Sequence, residues 1–345
     1  SEMCIRDRFL IDNWTSQDPG DAFFGMGSAP RRGKINLEKG KSYSLEVEYK
    51  WEGRFPAVQI GMQAPDQFNL MEEAATIAQD ADAVILIVGT NSDWETEGND
   101  RENLSLPSNQ NELVETVCKL NRNTVVVLNT GSPCEMPWVE EANAILQCWF
   151  PGQEFGNSLA DIIFGTVNPS GKLPTTFPKK LSDTPAFPTY PGKDMQMDYE
   201  EGLFIGYRWY DREEIEPLFP FGHGLSYTTF EYSDLRAIPP KGESSVAAFE
   251  VAVKNSGNVS GKEIVQGYVG SSSSQIERPN KELKKFDKVF LAPGESKKVI
   301  FELSERDLSF WNVETNTWQV EPAEYIFSIG SSATDIKETV SVWLG

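Results

Sequence analysis

The chain runs to 345 residues, more than one compact domain usually holds, so two or three domains are expected. Hydrophobic residues make up 39% and charged residues 24%, enough apolar material for real cores and too much for wholesale disorder. Asp and Glu number 52 against 31 Lys and Arg, and the resulting net charge of −21 argues against nucleic acid or an anionic membrane surface as partner. No apolar run approaches the ~20 residues needed to cross a bilayer. Nine tryptophans suit the handling of flat, neutral ligands such as sugars.

Cysteine is sparse (Cys4, Cys118, Cys134, Cys148) and His223 is the one histidine. A structural zinc site or a Cys/His nucleophile pair needs more of these residues, so neither is expected, and no metal or organic cofactor is assigned. Reduced, buried thiols are the expected state, which leans slightly towards the cytoplasm and leaves a periplasmic or secreted location open. With one histidine, acid–base chemistry falls to carboxylates.

In chain order, residues 1–8 (SEMCIRDR) have no apolar stretch and read as a non-native junction. Residues 9–63 have β texture: Ile35–Glu38 alternates, residues 39–41 (KGK) supply a turn, and Tyr43–Tyr49 alternates again. Two or three strands cannot bury a two-layer core alone, so this segment is expected to be the end of a β domain with an apolar face partly uncovered. Residues 64–228 change pattern. A helix is expected over Gln67–Ala81, a buried strand over Ala83–Val88, a helix over Asn109–Leu120, and strands over Thr124–Leu128 and Ala144–Trp149. Strands alternating with helices imply a parallel sheet covered on both faces, with ligand chemistry in the loops at its carboxyl edge. Residues 229–345 read as a β-sandwich with strands at Val246–Lys254, Ile264–Val269, Lys288–Leu291, Lys297–Leu303 and Tyr325–Gly330.

The loop after the first parallel strand, Asn91-Ser-Asp-Trp-Glu-Thr-Glu-Gly-Asn-Asp-Arg101, carries four carboxylates, Asp93, Glu95, Glu97 and Asp100, in eight positions. Crowded carboxylates raise each other's pKa, and one still protonated near neutrality can act as a general acid. On spacing alone, a solvated acidic loop is the favoured explanation. Two nearby patterns fail. The Asp93–Gly98 run imitates a calcium loop but has Leu104 where a bidentate Glu is needed. Gly165–Lys172 imitates a phosphate loop with the wrong glycine spacing and Leu173 after the lysine. His223, between two glycines, reads as a structural turn residue.

The ordered series Glu95-Thr-Glu-Gly-Asn-Asp-Arg101, Leu106-Pro-Ser-Asn-Gln110, Asn129-Thr-Gly-Ser-Pro133, Trp149-Phe-Pro-Gly-Gln-Glu154, Asn168-Pro-Ser-Gly-Lys-Leu-Pro174, Tyr199-Glu-Glu-Gly202, Gly206-Tyr-Arg208 and Phe219-Pro-Phe-Gly-His-Gly-Leu-Ser-Tyr227 closely resembles the carboxy-terminal half of glycoside hydrolase family 3, the β-glucosidases and relatives. Lys254-Asn-Ser-Gly257, Arg278-Pro279, residues 281–286 (KELKKF), residues 291–295 (LAPGE) and Asp307-Leu-Ser-Phe310 resemble that family's fibronectin type III-like domain. Asp12-Asn-Trp14 and Phe24-Gly-Met-Gly27 resemble the end of a PA14 domain.

The resemblance implies a multidomain fold. A partial PA14-like β segment over 9–63 precedes an α/β sandwich with a mainly parallel sheet over 64–228 and a fibronectin type III-like β-sandwich over 229–345. It makes Glu97 the acid/base carboxylate of a retaining β-glycosidase, with Asp100 and Arg101 pairing behind it and Phe23, Phe24 and Trp94 as candidate sugar contacts. Where the family often carries an aromatic, this chain has Asn99. The family's nucleophile belongs to a (β/α)8 barrel of about 250 residues, which these residues do not encode. The implied partners are a β-linked glycoside and that barrel, and assembly into a homo-oligomer stays open. The other class in play is a non-catalytic carbohydrate-binding or scaffolding module.

Overall fold

The computed structural model describes residues 10–12, 14, 18–20, 27–50, 58–62, 69–92, 94–97 and 101–345. These divide into two compact units: Ser1–Glu102, Leu106–Gly131 and Trp138–Cys148 form the first, and Asn103–Ser105, Ser132–Pro137 and Trp149–Gly345 the second.

In the first unit, β1 (Pro19–Gly20) and β2 (Gly27–Ser28) form a two-residue antiparallel ladder. The strands expected at Ile35–Glu38 and Tyr43–Tyr49 do not form. Ile35, Leu37, Tyr43, Leu45, Val47 and Tyr49 all lie exposed. An alternating pattern becomes a strand when a neighbour completes its ladder, and among the described residues none does so here.

Helix α1 (Leu70–Asp80) starts where the Asn69 carboxamide accepts the Glu72 N–H at 3.2 Å. It is followed by β3 (Val84–Gly89), α2 (Gln110–Leu120), β4 (Thr124–Asn129) and β5 (Ala144–Gln147). The three strands are parallel, in the order β3-β4-β5. β-branched runs account for the strands: Val126, Val127 and Leu128 of the central strand are fully buried. α2 buries Val114, Val117 and Cys118 at helical spacing. The Asn121 carboxamide donates to the Ala78 and Ala81 carbonyls, tying the end of α2 to the end of α1. The apolar runs predict a sheet covered on both faces, but among the described residues nothing covers the outer part of β3. Ile85 and Ile87 of the edge strand β3 are about half exposed, at 50% and 53%.

The second unit holds α3 (Phe155–Ile163), α4 (Tyr207–Arg212) and a two-sheet β-sandwich. One sheet pairs β6 (Phe230–Ile238), β7 (Ser245–Asn255) and, after the crossover, β10 (Ser296–Ser304), in the order β10-β7-β6. The other has the order β14-β13-β8-β9, built from β8 (Gly261–Ser271), β9 (Glu282–Leu291), β13 (Ala323–Gly330) and β14 (Ile336–Leu344). A helical turn, α5 (Glu305–Leu308), and a small hairpin, β11 (Phe310–Asn312) with β12 (Thr317–Gln319), lie between β10 and β13. Between the sheets Phe249 stacks on Phe327 at 4.0 Å, among Val251, Val265, Val299, Leu303 and Ile329. β6, the hairpin and β14 are additional to the expected strands. β6 and β14 are edge strands of the two sheets, and β6 is broken in pattern by a register shift between Ser233 and Arg236.

The segment before the sandwich docks onto it through polar groups. Lys172 Nζ donates to the Gly224 carbonyl at 2.8 Å and lies 3.3 Å from Glu263 Oε1, with both side chains nearly buried. Tyr232 donates its hydroxyl to the same carboxylate oxygen at 2.8 Å, and burial and the Glu263 charge push its pKa up. The Gln266 carboxamide donates to the Gly222 and Ser331 carbonyls. Asn168 accepts from Ser226 and Tyr227 and donates to the Ser260 carbonyl.

The His223 ring stacks on Phe219 at 5.3 Å. Burial, aided by the charge of Lys172, holds its pKa below 6.5. A folded pKa below the unfolded one adds stability that is present above about pH 6.5 and is lost as pH falls from there through the lower folded value. Because the chain has one histidine, its imidazole gives a single proton NMR titration, whose midpoint we expect below 6.5. A midpoint at or above 6.5 would contradict the buried, neutral ring.

Candidate functional site

The site is built where the parallel strands of the first unit end. Gly89, the last residue of β3, is in register with Asn129, the last of β4, and Leu128 with Gln147, the last of β5, so the loops leave from one edge. Gly89 is required there: a Cβ on it would sit 2.1 Å from the Asn129 carbonyl oxygen.

The loop then turns at once. The Thr90 N–H bonds to the Asn129 carbonyl at 3.1 Å, and the N–H groups of Trp94 and Glu95 both bond to the Asn91 carbonyl at 3.0 Å. The buried Thr90 hydroxyl donates to Glu95 Oε2 at 2.6 Å, so Glu95 holds the loop to the strand it leaves. Glu97, two residues on, is exposed at this carboxyl edge, and among the described residues no hydrogen bond or ion pair engages its carboxylate. Trp94 and Arg101 are half-buried in the same loop. The Trp94 Nε1 and Thr96 Oγ1 atoms are buried and have no hydrogen-bond partner among the described residues. Asp93, Asn99, Asp100, Phe23 and Phe24 lie outside the described residues.

Crowding among the loop's carboxylates therefore takes a specific form: one is committed to structure and another is presented to solvent. An exposed carboxyl in a loop at a sheet's carboxyl edge is equipped to exchange a proton with a bound ligand. Among the described residues no group of three or more His, Cys, Asp or Glu side chains is placed to hold a metal. Cys118 is buried and Cys148 half-buried, and burial raises both thiol pKa values, away from nucleophilic use.

The amino-acid sequence alone assigns no role to Thr90 or to Gln110, which stands there only as the end of the Leu106–Gln110 motif. Gln110 heads α2, and its carboxamide makes two hydrogen bonds to Gly89: Oε1 accepts the N–H at 2.7 Å, and Nε2 donates to the C=O at 3.0 Å. A polar residue directly after a buried run and a glutamine at a helix start were the available signals.

A family model described as "Glycosyl hydrolase family 3 C-terminal domain" matches residues 25–227, and one described as "Fibronectin type III-like domain" matches residues 263–333. The first match begins inside the stretch expected to end a PA14-like domain. The chain is 49% identical, over 79% of its length, to the "Thermostable beta-glucosidase B" of Acetivibrio thermocellus, covering 37% of that protein. It is 44% identical, over 96% of its length, to a "Beta-glucosidase" of Kluyveromyces marxianus, covering 40% of it. The crystal structure of the Kluyveromyces marxianus enzyme in complex with glucose superposes with a TM-score of 0.77, covering 82% of this chain and 34% of that one. A β-glucosidase of Bifidobacterium adolescentis superposes at 0.76 with 40% identity, covering 82% of this chain and 42% of that one. The chain thus spans well under half the length of the relatives it matches. With a carboxylate loop after the first strand of its parallel sheet, a β-sandwich later in the chain, and matches to both parts in order, the chain belongs to glycosyl hydrolase family 3.

Proposed function

We propose that this chain is the carboxy-terminal portion of a retaining β-glycosidase of β-glucosidase type, and that it supplies the general acid/base, Glu97. The observation that carries this is the loop after β3, which ties Glu95 to Thr90 and leaves Glu97 at the carboxyl edge of the sheet. The glucose bound to the Kluyveromyces marxianus relative supports a terminal β-linked glucosyl group as substrate. In domain terms, we assign residues 9–63 to the end of a PA14-like segment, 64–228 to the α/β domain and 229–345 to the fibronectin type III-like domain.

The chemistry needs two carboxyl groups about 5–5.5 Å apart. A nucleophilic carboxylate from the part of the protein outside this chain attacks the anomeric carbon while Glu97 protonates the departing oxygen. The glycosyl-enzyme forms and the aglycone leaves. Glu97, now ionised, takes a proton from the water that hydrolyses the intermediate, and configuration is retained. Trp94, Phe23 and Phe24 are proposed to contact the sugar or aglycone. Asp100 and Arg101 are proposed to pair and support the loop.

The experiment is hydrolysis of aryl glycosides by the full-length protein, with the product anomer read by proton NMR before mutarotation. We expect β-glucoside to give β-glucose first, and the isolated 345-residue chain to give no turnover, since it lacks the nucleophile. First-formed α-glucose, or turnover by the isolated chain that Glu97→Gln abolishes, would contradict the proposal.

A further inference from the structure

We propose that Gln110 is a positioning residue for the acid/base loop, acting with the Thr90–Glu95 hydrogen bond; this rests on Glu97 being the acid/base. β3 is the edge of its sheet, and the loop carrying Glu97 hangs from its last residue. On one side that end is fixed by β4, through the Thr90 N–H to the Asn129 carbonyl. On the other side no strand of the unit pairs with it among the described residues. There the Gln110 carboxamide takes both the N–H and the C=O of Gly89, at 2.7 and 3.0 Å.

A primary carboxamide offers one donor and one acceptor side by side, as a peptide group does. Gln110 therefore plays the part of one peptide of a neighbouring strand, and it does so from the first turn of α2, a rigid element. The second fixture lies one residue further along. The Thr90 hydroxyl, itself buried, donates to Glu95 at 2.6 Å and folds the loop back over the strand end. Together these two fixtures bracket Gly89 and Thr90 and set where the chain stands when it reaches Glu97. A strand end held on one side only would let the loop swing, and displacement of a reacting group by about 1 Å can cost about 10²-fold in rate.

The chemistry dictates the variants. Gln110→Glu keeps shape but has no donor, so its carboxylate faces the Gly89 carbonyl without a hydrogen bond. Thr90→Val is isosteric and removes only the hydroxyl. Glu95→Gln keeps an acceptor for Thr90 and serves as the conservative control.

The test measures kcat/KM of the full-length protein on a series of β-glucosides running from alkyl to activated aryl leaving groups, with thermal melts of each variant. We expect Gln110→Glu and Thr90→Val to lose about 10–100-fold on alkyl glucosides and several-fold less on activated aryl glucosides. Glu95→Gln, which keeps an acceptor for Thr90, should lose less on alkyl glucosides than Thr90→Val. A uniform loss across the series, or none, would assign these residues to stability alone and overturn the proposal. Glu97→Ala is measured in parallel: if it shows no leaving-group dependence, Glu97 itself is misassigned and the proposal falls with it. If Glu97→Ala shows that dependence and the other two do not, only the positioning role is overturned.

Discussion

Replacing Glu97 by alanine in the full-length protein should slow hydrolysis of alkyl and oligosaccharide β-glycosides by about 10²–10⁴-fold, the usual worth of general acid–base assistance. Poor leaving groups depart only as protonated alcohols, so their loss falls on the first step. An activated phenolate leaves without a proton, so glycosylation survives. The intermediate then waits on water that has lost its base, and a burst of aryl alcohol should precede slow turnover. Exposure of Glu97 at the end of a parallel strand, beside a Glu95 already committed to Thr90, is what singles it out. Equal losses on alkyl and activated aryl substrates would mean that the change damaged the loop and not a proton donor.

The second large effect is on stability. Lys172→Met removes the cation facing Glu263, which is 4% exposed and, among the described residues, otherwise holds only the Tyr232 hydroxyl. Breaking a buried pair by deleting one partner costs about 3–5 kcal/mol, because the remaining charge stays buried and uncompensated. The Gly224 carbonyl also loses its donor. Pairing Lys172→Met with Glu263→Gln should recover much of the loss, since neither charge then remains. Urea denaturation of the second unit, followed by tryptophan fluorescence, reads both variants. A single-variant cost below 1 kcal/mol would show the pair to be solvated, and failure of the second change to compensate would show that charge is not the cause.

Much of the α/β part was legible because its signals are local. Val-, Ile- and Leu-rich runs of four to six residues became β3, β4 and β5, and 3.6-residue spacing became α1 and α2. The same logic overreached at Ile35–Glu38 and Tyr43–Tyr49, where alternation is present but a ladder needs a partner that a pattern cannot supply. Ile85 and Ile87 show the matching limit: an apolar run reports an affinity for burial, and the cover comes from elsewhere.

In the site, the proposal of Glu97 among four carboxylates rests on chain order against a known family. Spacing alone does not select it, since Glu95 is two residues away, and its bond to Thr90 and lower exposure are visible only in the structure. The long-range bonds were invisible. Gln110 lies 21 residues from Gly89, and Lys172, the tail of a rejected phosphate loop, meets Glu263 in the sandwich. Each is one polar side chain finding a buried partner far along the chain, and no periodicity encodes that.

Assignment of Glu97 as the acid/base is tested most directly by what becomes of the trapped glycosyl-enzyme. Azide needs no general base, so it should attack the intermediate that accumulates in Glu97→Ala. The product from an activated aryl β-glucoside should be β-glucosyl azide, with the rate of turnover restored in proportion to azide concentration. The same addition to Asp93→Ala and Glu95→Ala should yield glucose alone. Formation of β-glucosyl azide by Asp93→Ala or Glu95→Ala, and not by Glu97→Ala, would move the acid/base to another carboxylate of this loop.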